Sequence, residues 1–142
     1  MSAESKPIDS NPIWRNVWLF WLLFILFVSS YPCPQFHTHA HWDKVNWIPF
    51  QGVWRSFNLS LDVGKNVVLY VPFGFFFVRS RSHFPKSAVI RATLLTALLS
   101  ISCEFFQLFC HGRHPSMTDV STNLIGGMLG AVIASRYRSW KR

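Results

Sequence analysis

Two carboxylates, an arginine and two side-chain amides lie in the otherwise apolar stretch from residue 100 to residue 127. They are Glu104, Gln107, Arg113, Asp119 and Asn123. Paired carboxylates can serve as a general acid and base, whereas an arginine surrounded by amides can bind a phosphorylated head group. A charge placed towards a membrane interior costs about 2.5 kcal/mol or more, so an ion pair of Arg113 or Arg55 with the carboxylates is also expected. Alternatively, these five residues form a purely structural network that fixes the register of the helices.

Four apolar runs must position these residues. Half of the 142 residues are hydrophobic and the mean hydropathy is +0.22, which is unusual for a soluble protein of this size. Runs near 13–30, 63–79, 88–109 and 119–137 are long enough to cross, or nearly cross, a hydrocarbon layer of about 30 Å. We predict an all-α integral membrane bundle of four transmembrane helices over residues 13–137. The rest is an aromatic outer interfacial loop at 31–62, a polar tail at 1–12 and a basic tail at 138–142.

The basic residues orient this bundle. The net charge is +8, and one side of a four-span topology carries Lys6, Arg15, Arg79, Arg81, Lys86, Arg91, Arg136, Arg138, Lys141 and Arg142. The other side carries only Lys44, Arg55, Lys65 and Arg113. This asymmetry predicts a multi-pass protein of the cytoplasmic (inner) membrane with both termini in the cytoplasm. No nucleic-acid-binding motif accompanies the basic clusters, so nucleic acid is excluded as a partner.

The polar residues of three runs share one membrane depth. In the third run the polar and small positions recur every three or four residues, as on one face of a helix; they are Thr93, Ala97, Ser100, Glu104, Gln107 and His111. The fourth run repeats the pattern from Asp119 and Asn123, and the second from Asp62 and Asn66. These residues are expected to meet at the outer end of the bundle.

The small residues of the second and fourth runs indicate close helix packing. Gly126 and Gly130 form a GxxxG pair, and Gly74 and Gly127 extend the set of packing positions. Pro72 removes a backbone donor in the second run and predicts a kink. The kink would either open a cavity beneath the polar cluster or only adjust the packing.

The histidines and cysteines give weaker evidence of a metal site or a disulfide than the polar residues give of a binding site. His37, His39 and His41 alternate in HTHAH, but no second ligand motif accompanies them, so no metal and no cofactor is predicted. Three cysteines, Cys33, Cys103 and Cys110, are too few for a disulfide framework. A bridge between Cys33 and Cys110 is possible on the outer side, although free thiols are the favoured interpretation.

Several motifs together resemble a known family. The segments VNWIPF (45–50), NVVLYVPFGFF (66–76), CEFFQLF (103–109) and, after Arg113, TDVSTNLIGGMLG (118–130) are similar to the successive motifs of VanZ-like membrane proteins. That family is named for an accessory factor in glycopeptide (teicoplanin) resistance. The resemblance implies a small integral membrane domain with signature positions at Asn46, Pro49, Phe50, Asn66, Pro72, Gly74, Glu104, Gln107, Arg113, Asp119, Asn123, Gly126 and Gly130.

The favoured functional hypothesis is a non-enzymatic envelope protein with an outer-leaflet polar pocket. The pocket would recognise a lipid or lipid-linked envelope precursor, and the family resemblance would link this recognition to glycopeptide (teicoplanin) resistance. The predicted ligand-binding residues are Asn46, Arg55, Asn66, Glu104, Gln107, Arg113, Asp119 and Asn123. Two alternatives are a membrane-embedded enzyme acting on a phosphorylated lipid, with Glu104 and Asp119 as acid and base, and an assembly subunit that forms homo-oligomers through its GxxxG helix.

Overall fold

Four long helices make up most of the chain. The computed structural model describes residues 12–31, 33, 36–52, 57–81 and 87–139. The helices are α1 (Pro12–Ser30), α2 (Phe57–Arg79), α3 (Ala88–Gln107) and α4 (Met117–Ser139). Each is long and apolar enough to cross a membrane, and the described residues contain no strand. The predicted all-α bundle of four membrane-spanning helices is confirmed.

The helix boundaries differ from the prediction mainly at α2, which begins at Phe57, inside the predicted outer loop. The segment FNLSLD contains neither proline nor glycine, so nothing in it interrupts a helix. Its apolar side chains Phe57, Leu59 and Leu61 are exposed. The predicted tail 1–12 lies outside the described residues except for Pro12, and the tail 138–142 lies outside them except for the last two residues of α4.

Helices α2 and α4 form the tightest pair, and their glycines permit it. A Cβ atom on Gly74 would collide with the backbone oxygen of Gly127, and one on Gly130 would collide with that of Val71. The two backbones therefore touch without intervening side chains, as the GxxxG pair predicts. Since α2 of the same chain covers this face, it is not open to a second copy of the protein.

The apolar core lies between α2, α3 and α4, and α1 covers one side of it. The buried core side chains are Ile25, Tyr70, Phe73, Phe77, Val78, Ala88, Ala92, Ala131 and Ala134. Trp18 of α1 packs against Phe73 and Phe77, with ring centroids 5.8 and 5.5 Å apart. The indole nitrogen of Trp21 donates a hydrogen bond to the carbonyl of Leu69 at 2.9 Å. Helix α1 is thus attached through aromatic rings and the buried Ile25, and many of its other apolar side chains are exposed, which suits contact with lipid.

The connections between α1 and α2 and between α3 and α4 lie together at one end of the bundle, here called the loop end. The amide of His37 donates to the carbonyl of Phe109 at 2.8 Å, and the amide of His41 donates to that of Leu108 at 3.0 Å. A disulfide joins Cys33 to Cys110, whose Cα atoms are 5.3 Å apart. The first connection is thereby fastened to the second.

This disulfide corrects the expectation of free thiols. The two cysteines are 77 residues apart in sequence, and the antiparallel contact of Phe36 with Cys110, together with the hydrogen bonds from His37 and His41, makes them neighbours. Among the described residues Cys103, buried in α3, is the free cysteine. Disulfides persist in oxidising compartments, so the bridge agrees with an extracytoplasmic loop end.

Candidate functional site

A polar cavity of about 450 Å³ opens at the loop end. It is lined by Asn46, Gln51, Leu59, Asp62, Val63, Lys65, Asn66, Gln107, Gly112, Arg113, His114, Ser116, Thr118 and Asp119. Side chains from α2, α4, the end of α3 and both connections contribute to it. The prediction that three helices bring polar residues to one level is therefore realised in a single concave site.

Five of the eight predicted ligand-binding residues line this cavity: Asn46, Asn66, Gln107, Arg113 and Asp119. Two others lie elsewhere, Glu104 in a neighbouring groove and Asn123 deeper in the bundle. Arg55 falls outside the described residues. The cavity thus brings one arginine, one predicted carboxylate and three amides together.

Asp119 is held at the cavity wall by α2. The side-chain amide of Asn66 donates to Oδ1 of Asp119 at 2.8 Å, and both residues are half-buried. Asp62 and Lys65, within one turn of Asn66 on α2, form an ion pair of 2.9 Å with both side chains largely exposed. That pair neutralises itself, so Asp119 supplies the carboxylate whose charge faces the cavity.

Arg113 does not form the predicted ion pair. In the described part of the chain no carboxylate lies within ion-pair distance of its guanidinium, and its Nη2 lies 3.5 Å from the carbonyl oxygen of Ser29. The same carbonyl accepts a hydrogen bond of 3.2 Å from the Gln107 side chain. A carbonyl leaves most of the five guanidinium donors uncommitted. Arg113 therefore offers a positive charge and hydrogen-bond donors to an anionic group in the cavity.

Glu104 has a different partner from the one expected. Its Oε2 accepts a hydrogen bond of 2.8 Å from the backbone N–H of Ser116, immediately before α4 begins. Carboxylates are favoured at this position because the first N–H groups of a helix lack helical partners and carry partial positive charge. Glu104 therefore ties the end of α3 to the start of α4.

An apolar groove of about 180 Å³ lies beside Glu104. It is lined by Trp42, Val45, Trp47, Ile101, Glu104, Phe105, Leu108, Pro115, Ser116, Met117 and Val120. Trp42 and Trp47 stack in parallel with ring centroids 6.3 Å apart, and both are more than half exposed. Ser116 lines both the groove and the polar cavity. A polar compartment and an apolar compartment thus share a wall at one depth.

The VNWIPF segment (45–50) forms part of the wall of the polar cavity. The amide of Asn46 donates to the carbonyl of Pro115, and the amide of Met117 donates to the carbonyl of Asn46, both at 2.9 Å. Phe50 has a φ of 60°, which aromatic side chains rarely adopt, and its N–H donates to Oγ1 of Thr118 at 2.8 Å. These contacts fix the segment to the start of α4 and place Gln51 on the cavity wall.

Asn123 lies between helices and away from the cavity lining. Its side-chain amide donates to Oγ of Ser100 at 2.9 Å, and both residues are buried. The side chain of Thr96, one turn before Ser100 on α3, contacts the surface that Gly127 leaves open. The hydrogen bond between Asn123 and Ser100 therefore helps to fix the register of α4 against α3.

Sequence reasoning missed Gln51, Lys65, Ser116 and Thr118 among the polar lining residues. The S-x-x-D pattern of Ser116–Asp119 could have identified the part of the lining at the start of α4, because this pattern is typical of a helix start. Indeed, Oγ of Ser116 accepts a hydrogen bond of 3.1 Å from the N–H of Thr118. Gln51 carries no comparable signal, because its position depends on a turn fixed by distant contacts.

The four spans and the enclosed polar site define a multi-pass α-helical membrane protein. A family model described as VanZ/LLP1 matches residues 17–138, and the chain therefore belongs to the VanZ/LLP1 family. No curated protein sequence and no solved structure shows a significant match to the chain.

Proposed function

We propose that this VanZ/LLP1 protein binds the head group of a lipid or lipid-linked envelope precursor in the polar cavity. The observation that carries the proposal is the wall that the polar cavity shares with the apolar groove at Ser116. Adjoining polar and apolar compartments would suit an amphiphile whose head group is joined to an apolar chain. Phosphate oxygens would accept from Arg113, and hydroxyl or amine donors would reach Asp119. The first part of an acyl or prenyl chain would lie against Trp47 and Phe105.

Binding fits the two carboxylates better than catalysis does. Glu104 accepts from a backbone amide and Asp119 accepts from Asn66, so each has a positioning partner. No nucleophile paired with a base is found among the described hydrogen bonds. The proposal therefore assigns the site a recognition role in the cell envelope.

A polyprenyl phosphate titrated into the purified full-length protein in detergent micelles tests this role. Replacing Arg113 by Gln removes the cavity's charge-assisted donors, which are worth about 1.5–3 kcal/mol, so binding should weaken roughly 10-fold to 100-fold. Arg91→Gln is the matched control, because Arg91 is an exposed arginine near the opposite end of α3. Equal affinities of wild type, Arg113→Gln and Arg91→Gln would contradict the proposal.

We also propose that the loop end faces the outside of the cytoplasmic membrane, with both termini in the cytoplasm. The Cys33–Cys110 disulfide and the concentration of basic residues at the opposite end support this orientation. A fluorescent-protein fusion at the C-terminus should be bright, and an alkaline phosphatase fusion there should be inactive. The reverse pair of results would invert the topology.

We also propose that the protein contributes to glycopeptide resistance through this head-group binding. A protein that engages a lipid-linked cell-wall precursor would change the access of teicoplanin to its target. Expression of the wild-type chain should then raise the teicoplanin concentration that inhibits a susceptible host, and Arg113→Gln should abolish that increase. Identical susceptibility with wild type and with an empty vector would separate the binding role from resistance.

A further inference from the structure

Four histidines that are separated in sequence meet at the loop end. His37, His39 and His41 belong to the first connection, and His111 follows α3. The hydrogen bonds from the amides of His37 and His41 to the 108–109 backbone lay the first segment along the second. The Cys33–Cys110 disulfide fastens the same pair of segments next to His111. Sequence spacing gave three alternating histidines, and the fold adds the fourth.

The separations of the imidazole rings match those of a tetrahedral site. Five of the six pairs have centroid distances of 5.5, 5.7, 5.3, 4.7 and 5.9 Å, for the pairs 37–39, 37–41, 37–111, 39–41 and 41–111. A Zn–N bond of ~2.1 Å puts a ring centroid ~3.2 Å from the metal, and tetrahedral angles then separate two centroids by ~5 Å. Five of the six ring pairs therefore have separations close to those expected between ligands of one ion.

Two of the rings also have the hydrogen-bonding pattern of metal ligands. Nδ1 of His41 lies 3.2 Å from the carbonyl oxygen of Leu108, and an Nδ1–H donor there leaves Nε2 as an electron-pair donor. Nε2 of His37 is buried without a hydrogen-bond partner. An unpaired buried nitrogen is costly unless a ligand satisfies it.

We propose that His37, His39, His41 and His111 bind one divalent transition metal ion, with zinc as the preferred class. Four nitrogen ligands in tetrahedral spacing suit Zn²⁺, whereas the oxygen ligands that Ca²⁺ and Mg²⁺ require are missing from the cluster. In the described residues no group of three or more His, Cys, Asp or Glu side chains is arranged to hold a metal ion as it stands. Binding therefore requires the His39 and His111 rings, which are exposed, to rotate towards the other two.

The metal site has a role distinct from head-group binding. It joins the α1–α2 connection to the α3–α4 connection alongside the disulfide, and His111 immediately precedes Gly112 and Arg113 of the polar cavity. Metal binding therefore holds the segment that carries Arg113. The two proposals fail independently, because one concerns a cation at imidazoles and the other an anionic head group at a guanidinium.

Calorimetric titration of Zn²⁺ into the purified, tag-free, full-length protein tests the site, with Co²⁺ absorption as a second readout. One ion should bind per chain, and Co²⁺ should give the intense visible bands of tetrahedral coordination. His39→Ala and His111→Ala should each weaken Zn²⁺ binding at least tenfold. Both side chains are exposed, so these variants are expected to fold, and Cys33–Cys110 bridge formation in each provides a check.

His114→Ala is the matched control, because His114 is an exposed histidine of the same connection that does not contact the cluster rings. It should bind Zn²⁺ with unchanged affinity. A wild-type protein that binds no Zn²⁺ would overturn the proposal. So would His111→Ala binding within threefold of wild type, since the HTHAH segment alone would then account for the ion.

Discussion

The side-chain amide of Asn66 donates a hydrogen bond of 2.8 Å to the carboxylate of Asp119, and this contact joins α2 to α4 at the wall of the polar cavity. The glycine-mediated contact of the same two helices lies deeper in the bundle. The head-group site is therefore built on the most closely packed helix pair, which keeps its carboxylate in a fixed place.

Removing the Asn66 amide should destabilise the protein and misplace Asp119. Asn66→Ala leaves a half-buried carboxylate without its donor, which costs about 1–3 kcal/mol. Thermal unfolding in detergent would show the loss as a lower midpoint. Asn58→Ala is the control, since Asn58 is exposed on the first turn of α2. In a double-mutant cycle, Asn66→Ala and Asp119→Ala should be strongly non-additive; additive losses would show that the pair contributes nothing.

A methyl group on Gly74 should disrupt the α2–α4 pair. Because the new Cβ atom would collide with the backbone oxygen of Gly127, Gly74→Ala forces the helices apart at a cost of about 1–3 kcal/mol or more. Gly64, on the same helix, has open space around it. Gly64→Ala should be neutral or stabilising by up to about 1 kcal/mol, as alanine favours helix. Equal unfolding midpoints for the two variants would contradict the close approach.

Local patterns account for what the sequence predicted well. The four spans follow from apolar runs, and the α2–α4 contact follows from glycines spaced by four residues. The meeting of Asn66 with Asp119 follows from the polar residues that each span carries towards the same end of the bundle, although α2 begins at Phe57, nine residues before Asn66. Each of these inferences depends on residues only a few positions apart.

Features that depend on distant segments were not predictable in the same way. The orientation of Glu104 towards Ser116 and of Asn123 towards Ser100 depends on how α3 is rotated about its axis. The stripe of polar and small residues predicted on α3 defines that rotation only approximately. Thr93 and Ala97 belong to the stripe and are half-buried, whereas Thr96 lies outside it and is fully buried. Predicting the pairing of Cys33 with Cys110 likewise requires knowledge of the path of the connection between α1 and α2.

The disulfide predicts a specific thiol count. One thiol per chain, Cys103, should react with a maleimide polymer after denaturation without reduction, and three should react after reduction. Three reactive thiols without reduction would contradict the bridge. Because it closes a loop of 77 residues, losing the bridge should cost roughly 2–4 kcal/mol by restoring unfolded-state entropy. The Cys33→Ser/Cys110→Ser protein should therefore unfold at lower temperature than Cys103→Ser.

Substitutions at Glu104 separate its structural contact from head-group binding. Glu104→Gln keeps an oxygen acceptor for the Ser116 N–H and loses only the charge at the start of α4, at a cost of about 0.3–1 kcal/mol. Glu104→Leu removes the acceptor and should cost about 1–3 kcal/mol. Since Glu104 lines the apolar groove and not the polar cavity, Glu104→Gln should weaken polyprenyl phosphate binding less than Arg113→Gln does. If Glu104→Gln instead abolished binding while leaving the unfolding midpoint unchanged, Glu104 would be a direct head-group ligand, and the boundary between groove and cavity would have to be redrawn.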